Sequence, residues 1–164
     1  ANWKFGSICS VGLALVEDGN VVETRHWLVK PHESMNWMSW HCTAVHGLTS
    51  DDIRDAPEFV EIWPMMSAFI MQGDCVVIHN ATFDLRQLRT ALTLYALPGI
   101  QFPYVCSLRI SRKTLPQIGS HALDAVAAHL GFTFKHHDAL EDARTCAQII
   151  DQLGIPKGEQ KLFI

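Results

Sequence analysis

Residues 136–143 read HHDALEDA: two adjacent histidines, then three carboxylates within five positions, then an apolar helical pattern. Asp138 and Asp142 are four apart and share a helical face. Ala139, Ala143, Cys146, Ala147, Ile150 and Leu153 make the stripe expected to face the core. His137 and Asp142 are about 140° apart on the helical wheel, so they meet only if His137 lies in the irregular start of the helix. Acids complement the positive end of the helix dipole; histidines do not. A histidine at that place has reason to be neutral, and a neutral imidazole can take a proton. All three acids can be read as partners of the helix dipole, which leaves unexplained why histidines come first. Asp138 and Glu141 are read as helix-start charges, and His136 as structural or exposed.

A second constellation is His79-Asn80-Ala-Thr-Phe-Asp84. It follows CVVI, a short continuous apolar run of the kind found in strands buried on both faces. Ligands collect at the carboxyl ends of strands in α/β sheets, so Asp84 at the next helix start could hold a divalent cation; it could equally cap the helix. A third is Trp40-His41-Cys42-Thr43-Ala44-Val45-His46-Gly47. Only one cysteine is near and no second donor pair exists, which argues against zinc.

The elements that must position these groups follow from pattern. Residues 7–16 and 21–29 are valine- and leucine-rich strands joined by a turn at Asp18-Gly19. The chain is expected to be irregular from Pro31 to about Asp55. Asp55-Ala-Pro-Glu58 reads as the start of a helix to about Met71, kinked at Pro64. Then come a strand at 75–80, a helix at 83–96 and a short strand at 104–106. Helices near 107–115, 121–130 (capped by Ser120, stopped by Gly131) and 138–153 complete the pass. A hairpin followed by alternating β and α predicts a mixed sheet covered by helices, as one α/β domain over 1–164.

Composition bounds the function. At 48% apolar, the 164 residues suit a globular domain. No apolar run approaches the length of a membrane helix, and the opening ANWKFGS lacks a signal-peptide pattern. Five cysteines standing singly suggest reduced thiols and a cytoplasmic setting. A net charge of −4 leaves phosphate binding to local groups. Arg109, Arg112 and Lys113, with Arg86 and Arg89, could touch phosphates or simply form solvated helix faces. Trp3, Phe83 and Trp40 could stack on bases, although Phe83 and Trp40 could equally belong to the core.

HNATFDLRQLR (79–89) and HHDALEDA (136–143), in that order, resemble the second and third motifs of DEDDh 3′–5′ exonucleases, and more closely stand-alone relatives of the proofreading epsilon subunit of bacterial DNA polymerase III. VHGLT at 45–49, DAPEF at 55–59, SLRISRKTLP at 107–116 and SHALDAVAAHLGF at 120–132 extend the likeness over nearly the whole chain. The resemblance implies a ribonuclease H-like fold and hydrolysis of terminal nucleotides with two divalent cations, Mg2+ or Mn2+. It assigns Asp84 and Asp142 to metal and His137 to the general base. His46 and His41 would contact the terminal nucleotide, with Trp3, Asn2, Asn80 and Phe83 as further substrate contacts. The implied partners are single-stranded DNA or RNA 3′ ends, DNA first, in repair or proofreading. Free enzyme and polymerase-associated subunit stay open.

The family's first motif, Asp-x-Glu, has no counterpart before the hairpin. It would lie just ahead of Ala1, on a strand in mid-sheet between the hairpin and CVVI. Without that strand, backbone groups beside a buried strand would be unpaired at about 1–3 kcal/mol each, so omission from the given residues is expected over true loss. A degenerate binding or interaction module without catalysis is the alternative, and the tail KLFI (161–164) filling the gap is a third. The 164 residues alone are expected to bind two metals poorly and to cleave little.

Overall fold

A computed structural model describes residues 1–164. Strands β1 (Ser10–Glu17) and β2 (Asn20–Leu28) form an antiparallel hairpin, registered from Ser10 opposite Leu28 to Glu17 opposite Asn20. Its turn uses the positive φ of Asp18 (49°) and Gly19 (78°). Strand β3 (Val76–Ile78) runs parallel to β4 (Phe102–Cys106), and β5 (Lys161–Phe163) is antiparallel to β4. The tail KLFI therefore does not fill a gap beside the hairpin: it occupies the side of β4 away from β3, where Phe163 stacks on Phe102 with ring centres 4.8 Å apart. No strand is hydrogen-bonded between hairpin and β3, and the mixed α/β fold holds its strands as a pair and a triplet.

The helices are α1 (Trp40–His46), α2 (Phe59–Ile70), α3 (Ala81–Leu94), α4 (Ser107–Thr114), α5 (Leu123–His129) and α6 (Ala139–Leu153). The stretch expected to be irregular thus contains α1, closed by Gly47 at φ 77°, and a 3-10 turn at Glu33–Met35. Helix α2 starts at Glu58, not Asp55. Lys30 N–H donates to Pro57 O at 2.9 Å and holds 57–58 extended against the end of the hairpin. The capping box then closes between Glu58 and Glu61, whose Oε2 accepts from Glu58 N–H at 2.7 Å. Helix α5 is capped at Ala122, with Ser120 Oγ accepting from Ala122 N–H one step outside it.

The main core packs α2 and α3 (Phe59, Ile62, Trp63, Leu85, Leu88, Leu92) against Phe102 and Phe163. The sequence reading makes β3 buried on both faces; its three residues are only half-buried, because one edge borders a cleft. Of the predicted α6 stripe only Cys146 and Ile150 are fully buried, while Ala139, Ala143, Ala147 and Leu153 are half-buried. Thr145 and Ile149 join Cys146 and Ile150 in the interior, since β1 covers one side and α4 and α5 the other. The approach to β1 is close: a Cβ on Gly12 would lie 2.2 Å from Ala139 O.

Candidate active site

A cleft of about 1760 Å3 separates β1 from β3 and is floored by α3 and α6. At the carboxyl end of β3 the chain turns through Asn80, in the left-handed region at φ 59°, ψ 49°. Asparagine tolerates that geometry better than most residues. The turn aims the first turn of α3, with Phe83 and Asp84, into the cleft. From the other side, the start of α6 brings His136, His137 and Asp142 into the same space.

The Asp84 side chain is exposed at the cleft, and the protein mass around it, not full burial, is what limits its water. Removal from bulk water, and to a lesser degree the charge of Asp142, push its carboxyl up to about 6. Asp142 is raised as well, chiefly by burial, while His136 and His137 pull it back down. One turn below Asp142, the buried Cys146 thiol is pushed up to about 12, by burial first and then by the charges of both Asp142 and Asp84. The charge of Asp142 thus reaches Asp84, and both carboxylates, from distant parts of the chain, act on one buried sulfur.

His137 takes the place the wheel angle required. It lies outside α6 in the left-handed region at φ 67°, and its backbone N–H donates to Asp142 Oδ1 at 3.2 Å. A non-glycine residue in this region is strained, as functional corners often are. Asp138 is the N-cap of α6, its Oδ1 accepting from Leu140 and Glu141 N–H at 3.2 and 3.3 Å. Glu141 pairs with Arg144 at 2.7 Å.

His46 lines the cleft with Nδ1 accepting from Leu48 N–H at 3.1 Å. It is depressed chiefly by burial, and the nearby His137 lowers it further. His41 also lines the cleft, its ring 3.5 Å from that of Trp40. Asn2 is buried and its amide is spent on structure: Nδ2 donates to Met35 O and Trp37 O at 2.8 and 2.9 Å, and Oδ1 accepts from Lys4 N–H at 3.0 Å. Trp3 is 70% exposed, set edge-on against Trp37, and is not among the cleft walls. Phe83 and Trp40, at 50% and 72% exposure, are not core. Of the basic residues after β4, Arg109 and Lys113 are both engaged by the buried Glu159, which leaves Arg112 on the cleft wall.

Sequence reasoning missed the polar tie beneath the site. His79 Nε2 donates to His121 O at 3.0 Å, so the neutral ring accepts at Nδ1 from the fully buried Ser107 Oγ at 2.9 Å. Burial holds His79 below its ordinary value. Ser111 Oγ, 3.1 Å from His121 Nδ1, extends the tie along α4. The signal available was a histidine at the end of an apolar strand, but its partners are 28 and 42 residues away.

A protein-family model described as Exonuclease matches residues 5–150. The DNA polymerase III PolC-type proteins of Thermotoga petrophila and Thermotoga maritima are 33% and 32% identical over 145 residues, 87% of this chain. The chain spans only 10% of those relatives' length. Among solved structures, Exonuclease X in complex with 5′ overhanging duplex DNA superposes with a TM-score of 0.73 at 23% identity, covering 91% of this chain and 83% of that one. The nuclease domain of 3'hExo, a DEDDh family member bound to rAMP, superposes at 0.71 with 14% identity over 96% and 97%. These likenesses show the ribonuclease H-like fold of DEDDh exonucleases.

Proposed function

The chain belongs to the exonuclease family, and from that premise we propose that it is a metal-dependent 3′–5′ exonuclease, one domain over 1–164, that shortens single-stranded ends, DNA before RNA. The observation that carries this reading is the convergence of Asp84 and Asp142 on one cleft that His137 overlooks. The donor set fits hard divalent cations, Mg2+ or Mn2+. It offers carboxylate oxygens, and both acids are held above their ordinary range by a burial penalty that a cation would relieve. Two such ions bound there would offset charge on the scissile phosphate and make water a better nucleophile.

The chain's own groups do the rest. His137, exposed at the mouth of the cleft, takes the proton of the attacking water as its oxygen bonds to phosphorus. The bond from phosphorus to the 3′ oxygen breaks, releasing a nucleoside 5′-monophosphate and a shortened chain with a free 3′ hydroxyl. His46 and His41 contact the terminal nucleotide, with Asn80 at the corner beside it. Phe83 supplies an apolar face for a base, and Arg112 a charge for a phosphate. Trp3 reaches the nucleotide only if the strand extends beyond the cleft, and Asn2 acts by bracing the loop at 35–37. Association with a replicative polymerase is proposed from the polymerase relatives.

The test is release of mononucleotides from a 5′-labelled single strand. It uses the protein with whatever flanking sequence its gene encodes. Cleavage should need Mg2+ or Mn2+ and should fall at least a hundredfold in Asp84→Asn, Asp142→Asn and His137→Gln. Equal cleavage in excess chelator would overturn the reading.

A further inference from the structure

His136 is left over from the reaction above, yet it sits in the same cluster. His136, His137 and Asp142 each bring a metal-ligating atom, and these atoms lie within 4.8 Å of one another. The two imidazoles are stacked, ring centres 3.8 Å apart and 18° from parallel. Phe134 meets His136 edge-on, and Nδ1 of His136 is 3.9 Å from Asp124 Oδ2 on α5.

The composition of this cluster differs from that of the Asp84–Asp142 pair. Small hard cations prefer oxygen donors in near-octahedral array. Two imidazoles and one carboxylate suit a borderline ion such as Zn2+, with a fourth position open. A tetrahedral ion with bonds of about 2.1 Å holds its ligand atoms roughly 3.4 Å apart. Closing from 4.8 Å requires the two stacked rings to open by side-chain rotation; His137 is exposed and His136 half-buried.

We propose that His136, His137 and Asp142 form a binding site for a transition-metal ion of the Zn2+ class, and that filling it arrests the nuclease by taking the base and one cation carboxylate together. The arrest rests on the exonuclease reading; the binding does not. His136 turns a base-and-acid pair into a three-donor site.

Metal-free protein is titrated with Zn2+ against a chromophoric zinc chelator, and Zn2+ is then titrated into Mg2+-supported cleavage. His136→Gln should weaken Zn2+ binding by about tenfold or more. The Zn2+ giving half-inhibition should rise by the same factor. Far-ultraviolet circular dichroism checks each variant; should His136→Gln fail to fold, His136→Asn decides. Zn2+ binding that is equal in the unaltered protein and the folded variants overturns the site. Weakened binding with unchanged inhibition overturns the arrest. No cleavage under any metal by the protein with its gene-encoded flanking sequence, with Zn2+ binding still sensitive to His136, sinks the exonuclease reading and leaves the site standing.

Discussion

Replacing Asp84 by asparagine should make the metal-free protein more stable while it abolishes cleavage. The folded carboxyl is raised from 3.8 to about 6, mainly by loss of water around it. At 1.36 kcal/mol per pKa unit, a fully shielded group would cost on the order of 3 kcal/mol when ionised. Asp84 opens into the water of the cleft, and screening there cuts the figure to about 1 kcal/mol. Because the folded state holds this proton more tightly than the unfolded chain, the contribution is fully present below pH 3.8 and is lost as pH rises through about 6. The asparagine side chain cannot ionise, so the Asp84→Asn variant escapes that loss. Urea unfolding in excess chelator should therefore show the variant about 1 kcal/mol more stable at pH 7.5, with the gain gone near pH 3.5. Added Mg2+ should reverse the order by stabilising only the protein that binds it. A variant that is less stable at pH 7.5, or whose gain does not change with pH, would refute the account of Asp84 as a charge awaiting a cation.

Three further outcomes rest on the same geometry. Gly12→Ala places a methyl 2.2 Å from Ala139 O, so α6 must shift; a loss of about 1–3 kcal/mol in urea unfolding and a disproportionate fall in kcat are expected. His79→Ala should cost about 1–3 kcal/mol by leaving Ser107 and the His121 carbonyl unpaired, and His79→Gln, which can still donate toward that carbonyl, should recover part of it. The Mg2+ concentration for half-maximal cleavage should rise as pH falls through about 6, because protons compete for Asp84; an apparent affinity flat from pH 7.5 to 5 would count against the assignment.

Much of the site could be read in advance because its signals are local. Asp138 caps α6 as its place before an apolar stripe implied, and His137 stands outside the helix as the wheel angle required. The hairpin turn at Asp18-Gly19 declared itself through turn chemistry, and apolar run length gave a strand at 75–80 that is found, shorter, at 76–78. The misreadings fell where a distant partner overrides a local pattern. Asp55 has good cap chemistry, but the pairing of Lys30 with the backbone at 57–58 moves the helix start to Glu58. Arg109 and Lys113 have the spacing of a phosphate-binding face, but the buried Glu159 takes both.

Fold class was legible in the chain because periodicity and capping are written within a few positions of each residue, and the family through the resemblance of its ordered motifs. Which residues meet was a matter for folding in three dimensions. Folding set Asp84 and Asp142 on one cleft, stacked His136 on His137 with Asp124 behind, spent Asn2 on a loop and left Trp3 off the cleft wall. Such pairings depend on how α6 seats on β1 and how β3 turns into α3. Packing between remote elements fixes both, and no short stretch of chain encodes it.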